Sequence, residues 1–171
     1  GTALSAGALA FWGAGLGRQT VSTAVASTNE TFPITRTPDE WKARLTANAY
    51  RVLREEATER PFTSPLLKEA RKGTYVCGGC DLPVYASKDK YDSRTGWPSF
   101  TRAINDKAVG TRVDRKLFYA RTEAHCSRCG GHLGHVFHGE RLTEKDTRHC
   151  VNSLSMRFVP ADEGLPTTVS A

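Results

Sequence analysis

Cys77-Gly-Gly-Cys80 and Cys126-Ser-Arg-Cys129 decide how the rest of the chain is read. Each Cys-x-x-Cys turns back on itself, so the two together supply four soft thiolates, the donor set of a closed tetrahedral zinc site. Between Cys80 and Cys126 lie 45 residues, more than an ordinary zinc ribbon spans, so one ion staples two segments far apart in the chain. Four thiolates leave no open coordination position, and such a metal is structural rather than hydrolytic. Two rival readings are weaker. Disulfides within Cys-x-x-Cys belong to catalytic redox motifs, and no thioredoxin-like βαβ pattern surrounds these. A set made of Cys126, Cys129, His132 and His135 strains one tetrahedron and leaves Cys77 and Cys80 unexplained.

Outward from the cysteine pairs, strand signals dominate. Thr74-Tyr75-Val76-Cys77 reads as extended, Gly78-Gly79 permits the turn that points two sulfurs at one ion, and Leu82-Pro83-Val84-Tyr85 returns from it. The run 110–121 reads as a hairpin turning at Asp114-Arg115-Lys116. The stretches 134–137 and 150–158 are further strands, the second with Leu154, Met156 and Phe158 alternating with Ser155 and Arg157. Helical signals are confined to the N-terminal side. Thr37-Pro38-Asp39-Glu40 is a capping box with proline at the first helical position, and Trp41 and Leu45 share one face. Thr46 caps a second short helix that turns Tyr50 and Leu53 inward. The proline-punctuated stretch 60–65 then ends helical geometry.

Five cysteines minus four leaves Cys150, in Arg148-His149-Cys150-Val151-Asn152. A buried lone cysteine is usually an inert small hydrophobe. Its company argues otherwise. Arg148 and Asn152, two residues either side, share its strand face, and a nearby guanidinium favours thiolate over thiol. Gly130-Gly131-His132-Leu133-Gly134-His135-Val136-Phe137 adds two imidazoles able to deliver a proton near neutral pH, among glycines that allow close approach. Arg94-Thr95-Gly96-Trp97-Pro98-Ser99-Phe100 fixes an indole in a rigid loop, where it can wall a pocket for a methyl or thioether group.

Bulk properties set limits. The 171 residues suit one domain with a short appendage, 39% hydrophobic and 25% charged, as in ordinary soluble proteins. Net charge is +6, yet Lys and Arg are scattered among Asp and Glu without a like-charged run, which argues against a nucleic-acid partner. Residues 1–29 differ from the rest: they contain no acidic residue, are rich in Ala and Gly, and Ala24-Val25-Ala26 matches a small-x-small cleavage pattern. They read as a targeting remnant or tail, with export to the periplasm expected and organellar or cytoplasmic placement as alternatives. The folded domain is expected over 37–160, with 161–171 as a C-terminal tail.

Five motifs together resemble the methionine sulfoxide reductase B family: Arg-Pro-Phe-Thr-Ser at 60–64, Gly-Trp-Pro-Ser-Phe at 96–100, both Cys-x-x-Cys pairs, Gly-Gly-His-Leu-Gly-His-Val-Phe at 130–137 and Arg-x-Cys-x-Asn-Ser at 148–153. The resemblance spans roughly 39–160. It implies a mainly β fold of two antiparallel sheets (a β-tent) with short N-terminal helices and one structural zinc ion per chain, held by Cys77, Cys80, Cys126 and Cys129. It further implies an enzyme that reduces the R epimer of methionine sulfoxide, mainly in proteins, with a thioredoxin- or glutaredoxin-like protein or a small thiol as reductant. A monomer is expected. Carried over by residue, Cys150 is the nucleophile, His135 and His132 are active-site imidazoles, Arg148 and Asn152 support the thiolate, and Trp97 and Phe137 bind substrate. A non-catalytic zinc module of similar shape is the alternative, and it leaves Cys150, Trp97 and both histidines idle. A peroxide-reacting redox sensor is a weaker third reading. Two departures stand out. Many relatives carry a resolving cysteine where this chain has Thr95, and no cysteine precedes Cys77, so recycling by an external thiol is expected. His149 stands where relatives usually have an aromatic residue, and strand alternation points it away from the face of Cys150.

Overall fold

The computed structural model describes residues 30–167, so the expected targeting segment at 1–29 and the last residues of the tail lie outside the described residues. The compact unit begins at Thr31, and packing starts earlier than the first helix: Ile34 is buried and its N–H donates to the Arg128 carbonyl at 2.9 Å.

Two short helices lead in, α1 (Pro38–Arg44) and α2 (Ala47–Glu55). The Thr37 hydroxyl accepts from the Glu40 N–H, and the Glu40 carboxylate accepts from the Thr37 N–H at 2.7 Å, the reciprocal capping box its sequence predicts. The Thr46 hydroxyl caps α2 by accepting from the Ala49 N–H. Trp41 and Leu53 are buried on the inner faces of these helices. No helix among the described residues is long and apolar enough to cross a membrane.

Among the described residues nine strands follow: β1 (Gly73–Cys77), β2 (Pro83–Ala86), β3 (Lys90–Tyr91), β4 (Ser99–Phe100), β5 (Val109–Asp114), β6 (Arg121–Cys126), β7 (His132–His138), β8 (Thr147–Val151) and β9 (Met156–Pro160). They form two antiparallel sheets, one of three strands in the order β2-β1-β9 and one of six in the order β3-β4-β8-β7-β6-β5. Aromatic rings join them. Phe100 of the larger sheet stacks on Tyr85 (centroids 4.5 Å apart) and meets Tyr75 edge-on at 4.9 Å, both of the smaller sheet.

Two expectations need correction. The stretch 150–158 is not one strand: β8 ends at Val151, β9 begins at Met156, and the two belong to different sheets. Between them Ser153–Ser155 forms a 3-10 turn that leaves Leu154 exposed. Local polar bonds win over sheet pairing there, since the Ser155 hydroxyl donates to the Asn152 carbonyl at 2.6 Å and the Glu59 carboxylate accepts from the Ser153 N–H at 2.7 Å. The hairpin turn also lies later than expected. Asp114 is still in β5 and pairs with Arg121, so the connection is 115–120, with Leu117, Phe118 and Tyr119 in solvent.

Candidate active site

The four cysteines of the two hairpins are buried and come together. Cys77 closes β1 in the smaller sheet and Cys126 closes β6 in the larger, so their cluster ties one sheet to the other. All four sulfurs lie within 4.8 Å of one another, with Cys77 and Cys129 at 3.7 Å and Cys80 and Cys126 at 3.5 Å. A tetrahedral ion with sulfur bonds of about 2.3 Å requires edges of about 3.8 Å. These four residues therefore fit a metal ion with a closed sulfur shell. His132 and His135 take no part in it, which removes the mixed cysteine–histidine set.

Cys150 stands apart. It sits on β8 in the middle of the larger sheet, with Ser99 opposite on β4 and His135 opposite on β7. Directly opposed residues project to the same face, so the imidazole and the sulfur are neighbours by register. Gly134 makes the close pairing possible: a Cβ there would meet the Cys150 carbonyl oxygen at 2.0 Å. Cys150 is half-buried and opens onto a cavity of about 110 Å³ lined by Thr58, Trp97, Arg121, His135, Phe137 and Asn152, together with Gly134 and Val151. Of the sequence-predicted residues, Trp97, Phe137, His135, Asn152 and Cys150 line this one cavity. His132 and Arg148 stand behind it.

Each wall is fixed by a partner. The Trp97 indole N–H donates to the Glu59 carbonyl at 3.0 Å, and the Asn152 side-chain oxygen accepts from the Glu59 N–H at 3.0 Å. The Asn152 amide nitrogen donates to the Leu133 carbonyl at 3.3 Å, so this side chain is committed to backbone on both sides. Glu59 thus ties two pocket walls to the 3-10 turn behind them. Gly96, at φ +94°, gives the Trp97 loop its left-handed turn, and a Cβ there would strike Pro61 at 2.7 Å.

The imidazoles form a relay of carboxylate partners. His135 Nε2 bonds Asp114 Oδ2 at 2.9 Å, and the Arg121 guanidinium donates to the same oxygen at 2.6 Å. Burial acts to raise the Asp114 pKa, but the Lys116 N–H, His135 and Arg121 overcome it and hold the carboxyl well below the usual carboxylate range. His135 itself is shifted down, because burial outweighs the hydrogen bond to Asp114. With Asp114 ionised, the bonded His135 nitrogen carries the proton and the other is an acceptor. Behind it His132, its ring centroid 5.3 Å from that of His135, bonds Glu123 at 2.8 Å. Burial opposes ionisation of Glu123 too, but hydrogen bonds from His132 and Arg112 pull it down to about 2.

Arg148 donates through both arms to Glu140, at 2.7 and 2.8 Å, and lies 4.6 Å over the Phe137 ring. Its charge and hydrogen bond favour the Cys150 thiolate, as the sequence suggests, but burial is larger and the net effect raises the thiol pKa. The resting cysteine is therefore held as a thiol, and a base is needed to make it a thiolate. His149 points away from this face, as alternation predicts, with Nδ1 at 3.1 Å from the Tyr85 hydroxyl and its pKa lowered to about 4 by burial.

A cavity of side-chain size with an indole, a phenyl ring, an imidazole–carboxylate pair and one thiol suits an oxidised thioether. Comparison with known proteins agrees. The SelR domain model matches residues 45–160. The chain belongs to the SelR family. Curated relatives include "Peptide methionine sulfoxide reductase MsrB" of Leifsonia xyli, 42% identical over 132 residues (77% of this chain and 95% of the relative). The protein of the same name in Leptospira interrogans is 44% identical over 128 residues, covering 74% of this chain and 96% of its own. "Peptide methionine sulfoxide reductase 2" of Saccharomyces cerevisiae is 48% identical over 124 residues, covering 70% and 74%. The SelR match encloses the whole pocket and all four clustered sulfurs.

Sequence reasoning missed four residues of the site: Thr58, Arg121, Asp114 and Glu59. Asp114 and Arg121 carry a signal in hindsight, as opposite charges at the two ends of a hairpin. Glu59 carries none, because its partners are 38 to 95 residues away.

Proposed function

We propose that this protein reduces methionine-R-sulfoxide in oxidised proteins to methionine, with Cys150 as nucleophile and an external thiol as final reductant. One observation carries the reading: the cysteine outside the sulfur cluster opens onto a cavity walled by Trp97, Phe137 and the His135 ring. Membership of the SelR family and the activity named for its relatives support it.

The chemistry follows from the contacts. The neutral His135, its Nε2–H donated to Asp114, takes the Cys150 proton at its other nitrogen. The thiolate bonds to the electrophilic sulfoxide sulfur, the imidazolium returns the proton to the sulfoxide oxygen, and that oxygen passes to Cys150 as methionine leaves. Cys150 is oxidised to a sulfenic acid and the sulfoxide is reduced to a thioether. Trp97 and Phe137 hold the methyl and methylene groups by sulfur–aromatic and apolar contact. Arg148 and Asn152 position the β8 sulfur, and His132 orients His135. A first thiol then condenses with the sulfenic acid, releasing water and leaving a mixed disulfide, and a second thiol cleaves it to restore Cys150. Thr95, hydrogen-bonded to Ser93 at 2.8 Å, has no sulfur to offer in that step, and the other four cysteines are buried in the cluster.

The cluster is read as a zinc site, in which Cys77, Cys80, Cys126 and Cys129 would hold the ion; when bound it supplies cross-linking of the two sheets and no chemistry on substrate. The test is turnover of R-sulfoxide with dithiothreitol by the parent and by Cys150→Ser. Loss of at least about a thousandfold is expected, and activity surviving in the variant would defeat the mechanism.

A further inference from the structure

The cavity beside Cys150 holds about 110 Å³, room for a side chain but not for the polypeptide that carries it. The residues flanking a sulfoxide in a protein must lie across the rim. One part of that rim is unusual. The β5–β6 hairpin meets the site at the loop end of its ladder, where Asp114 bonds His135 and its pair Arg121 lines the cavity. Val113 and the loop that joins Asp114 to Arg121 present large apolar side chains to solvent: Val113 is 62% exposed, Leu117 48%, Tyr119 62%, and Phe118 is fully exposed. The other exposed large apolar side chains among the described residues, Phe62, Leu142, Leu154 and Leu165, stand singly in the sequence. A concentrated apolar patch of this kind on a small soluble domain marks a contact surface.

The tip is also held in place. The Lys116 ammonium pairs with Glu56 at 2.5 Å, Arg112 reaches the same carboxylate at 3.4 Å, and the Lys116 N–H donates to Asp114 at 2.9 Å. Glu56 stands two residues before Thr58, another residue of the cavity wall. The ionic tether uses Lys116 of the loop and Arg112 of β5, and the apolar residues between Lys116 and the cavity residue Arg121 are left facing water.

We propose that the Leu117–Tyr119 tip is the docking surface for apolar residues flanking the sulfoxide in an unfolded, oxidised polypeptide. Such residues are exposed when a protein has lost its fold, and methionines that sit in apolar stretches reach the pocket only then. The proposal rests on the function proposed above and adds to it a substrate class.

The experiment compares the parent with the triple variant Leu117→Ser, Phe118→Ser, Tyr119→Ser on two substrates, N-acetylmethionine sulfoxide and an oxidised polypeptide kept unfolded by reduction and alkylation. For the polypeptide, KM is expected to rise about tenfold with kcat unchanged, as loss of a few partly buried apolar groups implies. For the small substrate both constants are expected to hold, which also reports an intact pocket. If the triple variant loses small-substrate turnover, Phe118→Ser alone carries the same comparison, with a rise of about threefold expected. An unchanged polypeptide KM in an otherwise active variant would overturn the docking surface and leave the functional reading standing. The docking surface falls equally if the tip variant instead abolishes self-association, or binding to phosphatidylserine vesicles through Arg115 and Lys116, while the polypeptide KM holds. A parent inactive on both substrates would overturn the functional reading and the proposal with it.

Discussion

The chain holds sulfur in two settings that share a sheet and little else. In the cluster, four sulfurs face one another, fully enclosed, under Trp41 and Leu53. At Cys150 one sulfur faces an open cavity, with an imidazole across the strand and aromatic walls. Enclosure by like donors suits sulfur to ligation; isolation beside an imidazole and a shaped space suits it to the nucleophilic role proposed for Cys150. Burial alone does not separate the two, since Cys150 is itself shielded enough for its pKa to rise. What differs is the company each sulfur keeps.

Four changes probe that contrast. The largest effect is expected on the cluster. Structural zinc contributes about 10–16 kcal/mol of apparent binding energy, comparable to or above the whole stability of an ordinary domain. Cys77→Ser, or metal removal by a strong chelator, is therefore expected to abolish the far-UV strand signal along with activity, whereas Cys150→Ser is expected to leave the melting temperature within about 2 °C of the parent. If both variants melt alike, the two settings are not distinct.

The next effect falls on the base. Asp114→Asn keeps the shape but removes the anion that fixes the His135 tautomer, and kcat/KM is expected to fall about a hundredfold. Steady-state kinetics on the small substrate measure it, with an unchanged circular dichroism spectrum as control.

Third comes the charge beside the thiol. Because Arg148 favours thiolate, Arg148→Ala should move the Cys150 titration upward, and the loss of Glu140's partner acts in the same direction. The alkylation rate of Cys150 is expected to rise with pH through the alkaline range in the parent. In the variant the curve shifts to higher pH, so alkylation at neutral pH is slower than in the parent. A downward shift would show that Arg148 does not act on the sulfur.

The smallest effect is expected at His149, whose ring faces Tyr85 rather than the pocket. His149→Phe should leave Cys150 alkylation unchanged and alter stability by no more than about 1 kcal/mol, measured by urea unfolding.

Much of this arrangement was legible in the sequence, for physical reasons. The capping residues, the knuckle glycines and the Cys-x-x-Cys spacing are local, and local geometry determines them. The shared face of Cys150 and Asn152 follows from strand period. What the sequence concealed depends on distant pairing. The alternation of Leu154, Met156 and Phe158 looked continuous with Cys150, yet Glu59, almost a hundred residues upstream, draws Ser153 and Leu154 into a turn and ends the strand. The run Leu117–Tyr119 read as the returning strand of a hairpin turning at Asp114-Arg115-Lys116, but Asp114 pairs with Arg121 and leaves it outside. The sign of the Cys150 shift was hidden as well, because the sequence displays the charge of Arg148 but not the depth of the pocket.

All of the proposed chemistry requires that Cys150, and no cluster cysteine, takes the oxygen. A single turnover with methionine-R-sulfoxide in the absence of any thiol, followed by peptide mass spectrometry, reads this at the atom concerned. One methionine released per chain and one oxygen gained at Cys150 are expected, with Cys77, Cys80, Cys126 and Cys129 unmodified. Methionine formed while Cys150 stays reduced, or Cys150 found in a disulfide with a cluster cysteine, would contradict it.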